Sequence, residues 1–169
     1  NISGTDDDSK ILDPLHDDRI ELTLTNINYG QVYIHGFDMS IYAFLTKRIT
    51  AELNASYLGM QEFYNPLTRG YDPINAPKFK INSSLSYEST SGIIANINFR
   101  YIPEFKWSAG VFYGTINKYF ITDLSLGYKI NQTFSVLVNI TNIFEDSHRE
   151  IVGGPELGRH FKFKVSAKL

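Results

Sequence analysis

Apolar and polar residues alternate along most of this chain, from residue 20 to its last residue. The alternation is clearest in the final stretch, where Phe161, Phe163 and Val165 are separated by Lys162 and Lys164. A period of two places successive side chains on opposite faces of a β-strand. No segment keeps apolar residues at the spacing of an amphipathic helix for long enough to predict one. The pattern therefore predicts an all-β fold.

Seven segments share this pattern, and each has one apolar and one polar face. They lie at 37–45, 49–57, 79–87, 93–101, 120–130, 134–141 and 161–169. We expect strands of roughly 10 to 15 residues, whereas strands in soluble proteins usually run about 5 or 6. A tilted strand that crosses a bilayer needs about 9 to 11 residues. Strand length therefore favours a membrane protein.

The links between the predicted strands alternate between short and long. Turns of two or three residues are expected at 46–48, 90–92 and 131–132, and longer links at 63–76, 108–118 and 144–159. Outer-membrane barrels combine short periplasmic turns with long extracellular loops in this way. The alternation therefore predicts an antiparallel transmembrane β-barrel segment whose last strand ends on the periplasmic side.

Charged residues within the predicted strands all fall on the polar parity. They are Asp38, Glu52, Lys78, Lys80, Glu88, Arg100, Asp123, Lys129, Lys162, Lys164 and Lys168. A Lys or Arg facing lipid at the bilayer midplane costs about 2–4 kcal/mol, so a membrane enforces this segregation. A soluble antiparallel sandwich also alternates. A soluble β-domain therefore stays as an alternative, which strand length and link asymmetry disfavour.

Composition excludes several classes of function. The chain has 169 residues, no cysteine and a formal net charge of −2, so disulfides, zinc–thiolate sites and thiol catalysis are ruled out. The near-neutral charge disfavours an extended nucleic-acid interface, which needs an excess of Lys and Arg. No run approaches the roughly 18 apolar residues of a transmembrane helix.

Short motifs in order along the chain resemble the C-terminal barrel region of TonB-dependent outer-membrane receptors. Asn28–Gly30 followed by Gly36–Asp38 resembles a strand entry of that family, and Asn75–Lys78 is similar to the motif that opens a later strand. Asn142–Asp146 resembles the motif that ends the penultimate strand, and Gly154–Arg159 the one before the last strand. The variety looks most like receptors of Bacteroidetes.

The resemblance implies a 22-stranded barrel in the bacterial outer membrane, closed around an N-terminal plug. Residues 1–19 would be the remnant of an extracellular loop, and residues 20–169 the C-terminal part of the barrel. At this spacing, 22 strands need about 460 residues, so the chain corresponds to about a third of such a barrel. Leu169 departs from the aromatic residue that often ends such barrels.

The family further implies a receptor, not an enzyme, which captures and imports a scarce ligand such as a siderophore, cobalamin, glycan or peptide. Its partners would be outer-membrane lipid, the remaining barrel strands, the plug domain, the TonB energy complex acting through the plug, and in some receptors a surface lipoprotein. We expect Arg100, Asp123 and Lys129 to line the wall or contact the plug, and Trp107 and Tyr113 to contact ligand from a loop.

Other functions were weighed against these. A small autonomous barrel serving as an anchor, adhesin or enzyme is the main alternative, and seven strands is an odd number for closing one. His148 and His160 flank one predicted loop with acidic neighbours, a pattern more typical of a solvated loop than of a metal or acid–base site. Asp6–Asp8 lacks the glycine-spaced ligands of a calcium loop. We therefore predict no catalytic, cofactor or metal site.

Overall fold

The computed structural model describes residues 31–168, which form eleven β-strands. No helix in that range is long and apolar enough to cross a membrane. The predictions for residues 1–19, Asn28–Gly30 and Leu169 lie outside the described residues. The strands are β1 (Gly36–Phe44), β2 (Ile49–Leu58), β3 (Glu62–Asn65), β4 (Gly70–Pro73), β5 (Phe79–Glu88), β6 (Ile93–Ile102), β7 (Phe105–Ala109), β8 (Phe112–Ile116), β9 (Tyr119–Lys129), β10 (Phe134–Thr141) and β11 (His160–Ala167).

Seven strands build one antiparallel sheet in the order β1-β2-β5-β6-β9-β10-β11. These are the seven segments that alternation predicts, so the all-β antiparallel fold is confirmed. The strands contain 8 to 11 residues, shorter than the roughly 10 to 15 expected. Within residues 31–168, β1 and β11 are edge strands and do not pair with each other.

Register keeps the two faces of the sheet chemically separate. Ile97 lies opposite Leu85 and Leu124 on one face, and Asn96 lies opposite Ser86 and Ser125 on the other. The charged residues of these strands fall on the second face, as the sequence predicts. The first, apolar face is largely uncovered within the described residues. Its exposed side chains include Phe37, Met39, Ile41, Leu85, Leu126, Tyr128, Phe134, Phe161, Phe163 and Val165.

Aromatic side chains border the apolar face at both ends. One row joins Phe37, Tyr57, Phe79, Tyr101 and Phe120 across neighbouring strands, and the other contains Tyr87, Tyr128 and Phe134. Phe37 and Tyr57 stack with ring centroids 5.4 Å apart. From Phe120 to Tyr128 a strand advances about 26 Å, or ~20 Å along the bilayer normal at a tilt of about 40°. This approaches the ~25 Å apolar band between the aromatic girdles of outer-membrane barrels.

The short turns are closed by side chains that replace backbone hydrogen-bond acceptors. Thr46 Oγ1 accepts from the N–H groups of Arg48 and Ile49 at 3.1 and 3.0 Å. Asn131 Oδ1 accepts from the N–H groups of Thr133 and Phe134 at 2.9 and 2.7 Å. Such local bonds compete with strand pairing and reverse the chain. The predicted short turns are thus confirmed, and we call this edge of the sheet the short-turn end.

The opposite edge, the long-connection end, carries two hairpins that the sequence analysis treated as loops. β3 pairs with β4 and β7 pairs with β8. The longer links predicted at 63–76 and 108–118 therefore each contain a short hairpin that the sequence analysis did not predict. Each of these strands has only 4 or 5 residues, too few for alternation to stand out from noise.

The β7–β8 hairpin continues the β6–β9 pairing in the same register after an interruption at 103–104 and 117–118. Strict alternation across the interruption would put Phe105 and Ile102 on opposite faces. They lie instead in one buried apolar cluster, so the interruption turns the hairpin over toward the polar side of the sheet. The cluster contains Ile102, Phe105, Ile116, Tyr119 and Ile121, which are 2 to 8% exposed.

Candidate functional site at the long-connection end of the polar face

Arg100 and Asp123 form an ion pair on adjacent strands of the polar face. Arg100 Nη2 lies 3.5 Å from Asp123 Oδ2, and both side chains are half-buried. The other carboxylate oxygen of Asp123 accepts from the N–H of Asn142 at 2.9 Å. Asp123 thus links the arginine of β6 to the turn that follows β10, and its orientation is fixed from two sides.

Beside this pair, the polar face forms an open groove of about 640 Å³. Its polar lining includes Asn96, Asn98, Ser125, Asn139, Asp123 and Lys162. Amide and hydroxyl groups both donate and accept hydrogen bonds. The groove therefore presents mainly hydrogen-bonding side chains, together with the charged groups of Asp123 and Lys162.

Asn142 organises the turn that closes this end of the groove. It is 1% exposed and adopts a φ of 56°. Its Nδ2 donates to the Asp146 carbonyl, and its Oδ1 accepts from the Asp146 N–H, both at 3.0 Å. The Asp146 carboxylate in turn accepts from the N–H of Phe120 at 2.9 Å. The motif Asn142–Asp146 is therefore a turn clamped onto β9.

The second C-terminal motif is attached to the first. Arg159 Nη2 lies 2.6 Å from Glu145 Oε2, and its Nη1 donates to the Ile143 carbonyl at 3.3 Å. One arginine thus ties the start of β11 to the turn after β10. The sequence analysis identified both motifs but did not predict the contact between Arg159 and Glu145.

His148 lies within the same connection and is buried. Its ring stacks on Tyr119 with centroids 4.3 Å apart, and its Nδ1 lies 2.9 Å from the Asp146 carbonyl oxygen. Its Nε2 is 3.7 Å from Glu150 Oε1. The solvated loop expected here is wrong for this histidine, which is 8% exposed, whereas His160 is exposed at the start of β11. Among residues 31–168, no group of three or more His, Cys, Asp or Glu is arranged to hold a metal ion.

Two contacts join the β3–β4 and β7–β8 hairpins. Asn75 Nδ2 donates to the Ser108 carbonyl and its Oδ1 accepts from the Ser108 N–H, both at 2.7 Å. Lys106 Nζ lies 2.6 Å from Glu62 Oε1, and this hydrogen bond raises the pKa of the Lys106 ammonium above its usual value. The connection that contains β3 and β4 is therefore linked to β7 at two points.

The two aromatic residues predicted to contact ligand have different environments. Trp107 is half-buried and packs against the apolar cluster, together with Val152 from the last connection. Tyr113 is 65% exposed and pairs with Ser108, one position from the Trp107–Gly114 pair. Neighbouring pairs in a ladder face opposite ways. The two rings therefore lie on opposite faces of the β7–β8 hairpin.

Lys129 lies at the short-turn end, where its Nζ is 2.8 Å from Glu88 Oε1. Of the five predicted contact residues, only Arg100 and Asp123 touch each other. The long-connection end is organised instead by Asn142, His148, Asn75 and Arg159, none of which was predicted as a site residue. Alternation carries no signal for them, because each lies in a turn or at an irregular position.

Comparisons with known proteins agree with this architecture. The sequence model of the family described as "TonB dependent receptor-like, beta-barrel" matches residues 1–143. A mutant ferric enterobactin receptor, PfeA of Pseudomonas aeruginosa, superposes with a TM-score of 0.62 at 16% identity over 79% of this chain and 22% of that one. A comparison with curated proteins finds no match.

Two further solved structures are similar. The closed form of the ferric-catecholate import receptor Fiu from Escherichia coli K12 gives a TM-score of 0.62 at 16% identity, over 79% of this chain and 20% of that one. The FpvAI–pyocin S2 complex gives 0.63 at 14% identity, over the same shares. This chain thus spans about a fifth of the length of these proteins. These similarities, to proteins of Pseudomonas aeruginosa and Escherichia coli among others, do not support the expected likeness to Bacteroidetes receptors.

Proposed function

Because this chain belongs to the TonB-dependent receptors, which are transporters of the bacterial outer membrane, we propose that it is the wall segment of a receptor that captures a scarce ligand and imports it. The observation that carries the proposal is the two-faced sheet. Its outer face is apolar between two aromatic rows, and its inner face is polar and ends in linked connections. An importer needs both, since one face contacts lipid and the other an aqueous path.

Two partners follow from the open sheet. The edges β1 and β11 have unpaired backbone groups within the described residues, and open sheet edges are not tolerated in hydrocarbon. We therefore infer that further barrel strands pair with them in the bilayer. The polar groove and the Arg100–Asp123 pair face the interior of such a barrel, where the plug domain is their expected partner. TonB would act through that plug and not through this segment.

The ligand surface is assigned to the hairpins of the long-connection end. Of the two aromatic residues predicted to contact ligand, Tyr113 is the more exposed. Trp107 packs on the opposite face of the β7–β8 hairpin and supports it. The names of the similar structures refer to ferric siderophores and a pyocin, and at 14 to 16% identity they carry the fold alone. The panel of ligands to test therefore contains a siderophore, cobalamin, a glycan and a peptide. A surface lipoprotein is a separate partner, which copurification with the receptor would reveal.

The test uses the full-length receptor in its native outer membrane, with uptake and binding measured for that panel. Tyr113→Ala should weaken binding of the accepted ligand by about three- to tenfold, the range of a truncated aromatic contact. Lys47→Ala, an exposed change in a short turn, is the matched control and should leave binding unchanged. Uptake that is absent for every class in the panel, or binding equally affected by both variants, would contradict the proposal.

A further inference from the structure

Three tyrosines are exposed on the two hairpins of the long-connection end. Tyr64 of β3 lies opposite Tyr71 of β4, and their rings meet edge to face with centroids 5.7 Å apart. Tyr113 of β8 is the third, and the three residues are 53, 69 and 65% exposed in chain order. A tyrosine combines a large apolar ring with a hydroxyl, and tyrosines are enriched where proteins contact other molecules. Three of them at one end of the sheet therefore indicate a contact surface.

An ion pair joins the two hairpin faces that carry these rings. Glu62 and Tyr64 lie two residues apart on β3, so their side chains share one face of the β3–β4 hairpin. Lys106 lies two residues from Ser108, which is opposite Tyr113, so Lys106 and Tyr113 share one face of the β7–β8 hairpin. Lys106 Nζ lies 2.6 Å from Glu62 Oε1. Glu62 and, after it, Tyr113 raise the pKa of Lys106, so Tyr113 also lies near this ammonium group.

Both hairpins are braced below the rings. Asn65 is 3% exposed, and its amide donates to the Asp72 carboxylate and accepts from the Leu67 N–H. The amide of Asn75 bonds both backbone groups of Ser108 and so fastens the first hairpin to the second. The rings are therefore presented on a preorganised support, which lowers the entropic cost of binding.

The two hairpins have no net charge. Over 62–73 and 105–116 their charged residues are Glu62, Arg69, Asp72 and Lys106, two of each sign. Lys106 is paired with Glu62, and Asp72 accepts a hydrogen bond from Asn65. A strongly anionic ligand would need cations that no carboxylate neutralises. The surface therefore favours a neutral ligand.

The Lys106–Glu62 pair keeps spare hydrogen-bonding capacity. An ammonium group has three N–H donors and a carboxylate has about four lone-pair positions, and the contact between them uses one of each. Ligand hydroxyls both donate and accept, so they can bond to both partners without separating them. A sugar ring has such hydroxyls at its rim and C–H groups on its faces, which are attracted to the negative face of an aromatic ring.

We propose that the tyrosine surface, formed by Tyr64, Tyr71, Tyr113, Glu62 and Lys106, binds a neutral saccharide. This assignment rests on the importer function proposed above and narrows its panel of ligands to the glycan class. The tyrosine rings stack on the faces of sugar rings, and the ion pair bonds the hydroxyls at their rims. An extended peptide would instead pair with a strand edge, whereas the tyrosines lie on hairpin faces.

Calorimetric titration of the full-length receptor in nanodiscs tests the assignment, with neutral hexasaccharides of glucose, mannose, galactose and xylose as probes. At least one probe should bind, and Tyr71→Ala should weaken its binding by about three- to tenfold, the range of a truncated aromatic contact. Tyr71→Phe keeps the ring and should bind within about twofold of the unmodified receptor. Failure of every probe to bind, or equal losses in the two variants, would overturn the saccharide assignment.

Two further variants separate the tyrosine surface from general effects of mutation. Lys106→Met keeps an apolar stem and removes the ammonium donors, so it should weaken saccharide binding by about two- to tenfold. Tyr42→Ala is the matched control, because Tyr42 is 56% exposed but lies on the polar face near the short-turn end. It should leave binding unchanged, and a loss equal to that of Tyr71→Ala would count against the tyrosine surface.

The outcomes also distinguish the saccharide assignment from the importer function. If a siderophore, cobalamin or a peptide is taken up and no saccharide binds, the saccharide assignment fails and import stands. If a saccharide binds through Tyr71 and nothing is taken up, the importer function fails and the tyrosine surface stands. A peptide whose binding is lost in Tyr71→Ala would assign the tyrosine surface to peptides and overturn the saccharide.

Discussion

At the scale of single residues, the most constrained position is Asn142. Its side chain makes two hydrogen bonds to Asp146, its N–H bonds Asp123, and its φ is positive. Asparagine tolerates this left-handed conformation better than most residues. The residue type therefore suits both the backbone and the two bonds.

Replacing Asn142 by Gly should lower the stability of the receptor. Gly accepts the positive φ, so the change isolates the loss of the two side-chain hydrogen bonds to Asp146, each of which contributes about 0.5–1.5 kcal/mol. Thermal unfolding of the purified receptor, followed by heat-modifiable gel mobility, measures the effect. Asn139→Gly, on the half-buried groove wall of β10, gives the cost of a glycine in the neighbouring strand, and an equal loss in the two variants would contradict the role given to Asn142.

At the scale of elements, the hairpins at the long-connection end behave as linked units. The amide of Asn75 bonds both backbone groups of Ser108 and so acts like one more rung of a ladder between β7 and the segment before β5. Asn75 also has a positive φ of 63°. This asparagine belongs to the Asn75–Lys78 motif, so the structure gives that motif a mechanical role in joining two connections.

The variant Asn75→Gly should weaken the link between the two hairpins and leave the Lys106–Glu62 pair as their remaining contact. Both bonds to Ser108 are lost while the backbone conformation is kept, and exchange of the Ser108 amide should rise by about fivefold or more, since each net hydrogen bond contributes about 0.5–1.5 kcal/mol. The control is Ser108→Ala, which preserves both bonds because they use backbone atoms. If the Ser108→Ala variant exchanges as fast as Asn75→Gly, the coupling does not depend on Asn75.

The sequence predicts the seven long strands well and the connections poorly. Alternation places strands such as β9 and β10 within about two residues, because burial on one face and lipid on the other leave a signal at every position. The hairpins β3–β4 and β7–β8 are too short for that signal. The contacts of Asn142 and His148 depend on residues brought together across the sheet, and one sequence does not reveal such partners. The Arg100–Asp123 pair was within reach, because both residues lie on the polar parity of strands that neighbour each other.

At the scale of the whole molecule, the exposed apolar face is a requirement for insertion in a membrane and not a by-product of β-structure. Leu126 is 48% exposed on that face between the aromatic rows, whereas Asn139 lies in the groove on the other face. Membrane location is consistent with such exposure because lipid, not water, covers these side chains.

We expect Leu126→Arg to impair assembly of the receptor in the membrane, and Asn139→Arg to do so far less. A lipid-facing Arg costs about 2–4 kcal/mol at the midplane, while an Arg inside the barrel stays in contact with water. The proportion of receptor that runs as the folded, heat-modifiable species on a gel measures assembly. Equal losses for the two variants would argue against the assignment of the two faces.

The order of the sheet has a consequence for how such walls change over time. Along the chain, each strand of the seven-stranded sheet pairs with the sheet strand before it and the sheet strand after it. The two additional hairpins lie within the connections between these strands. Gaining or losing one hairpin therefore returns the chain to the same side of the membrane and leaves every other pair in register. A wall of this kind can widen or narrow by two strands at a time, and no neighbour has its lipid-facing residues turned inward.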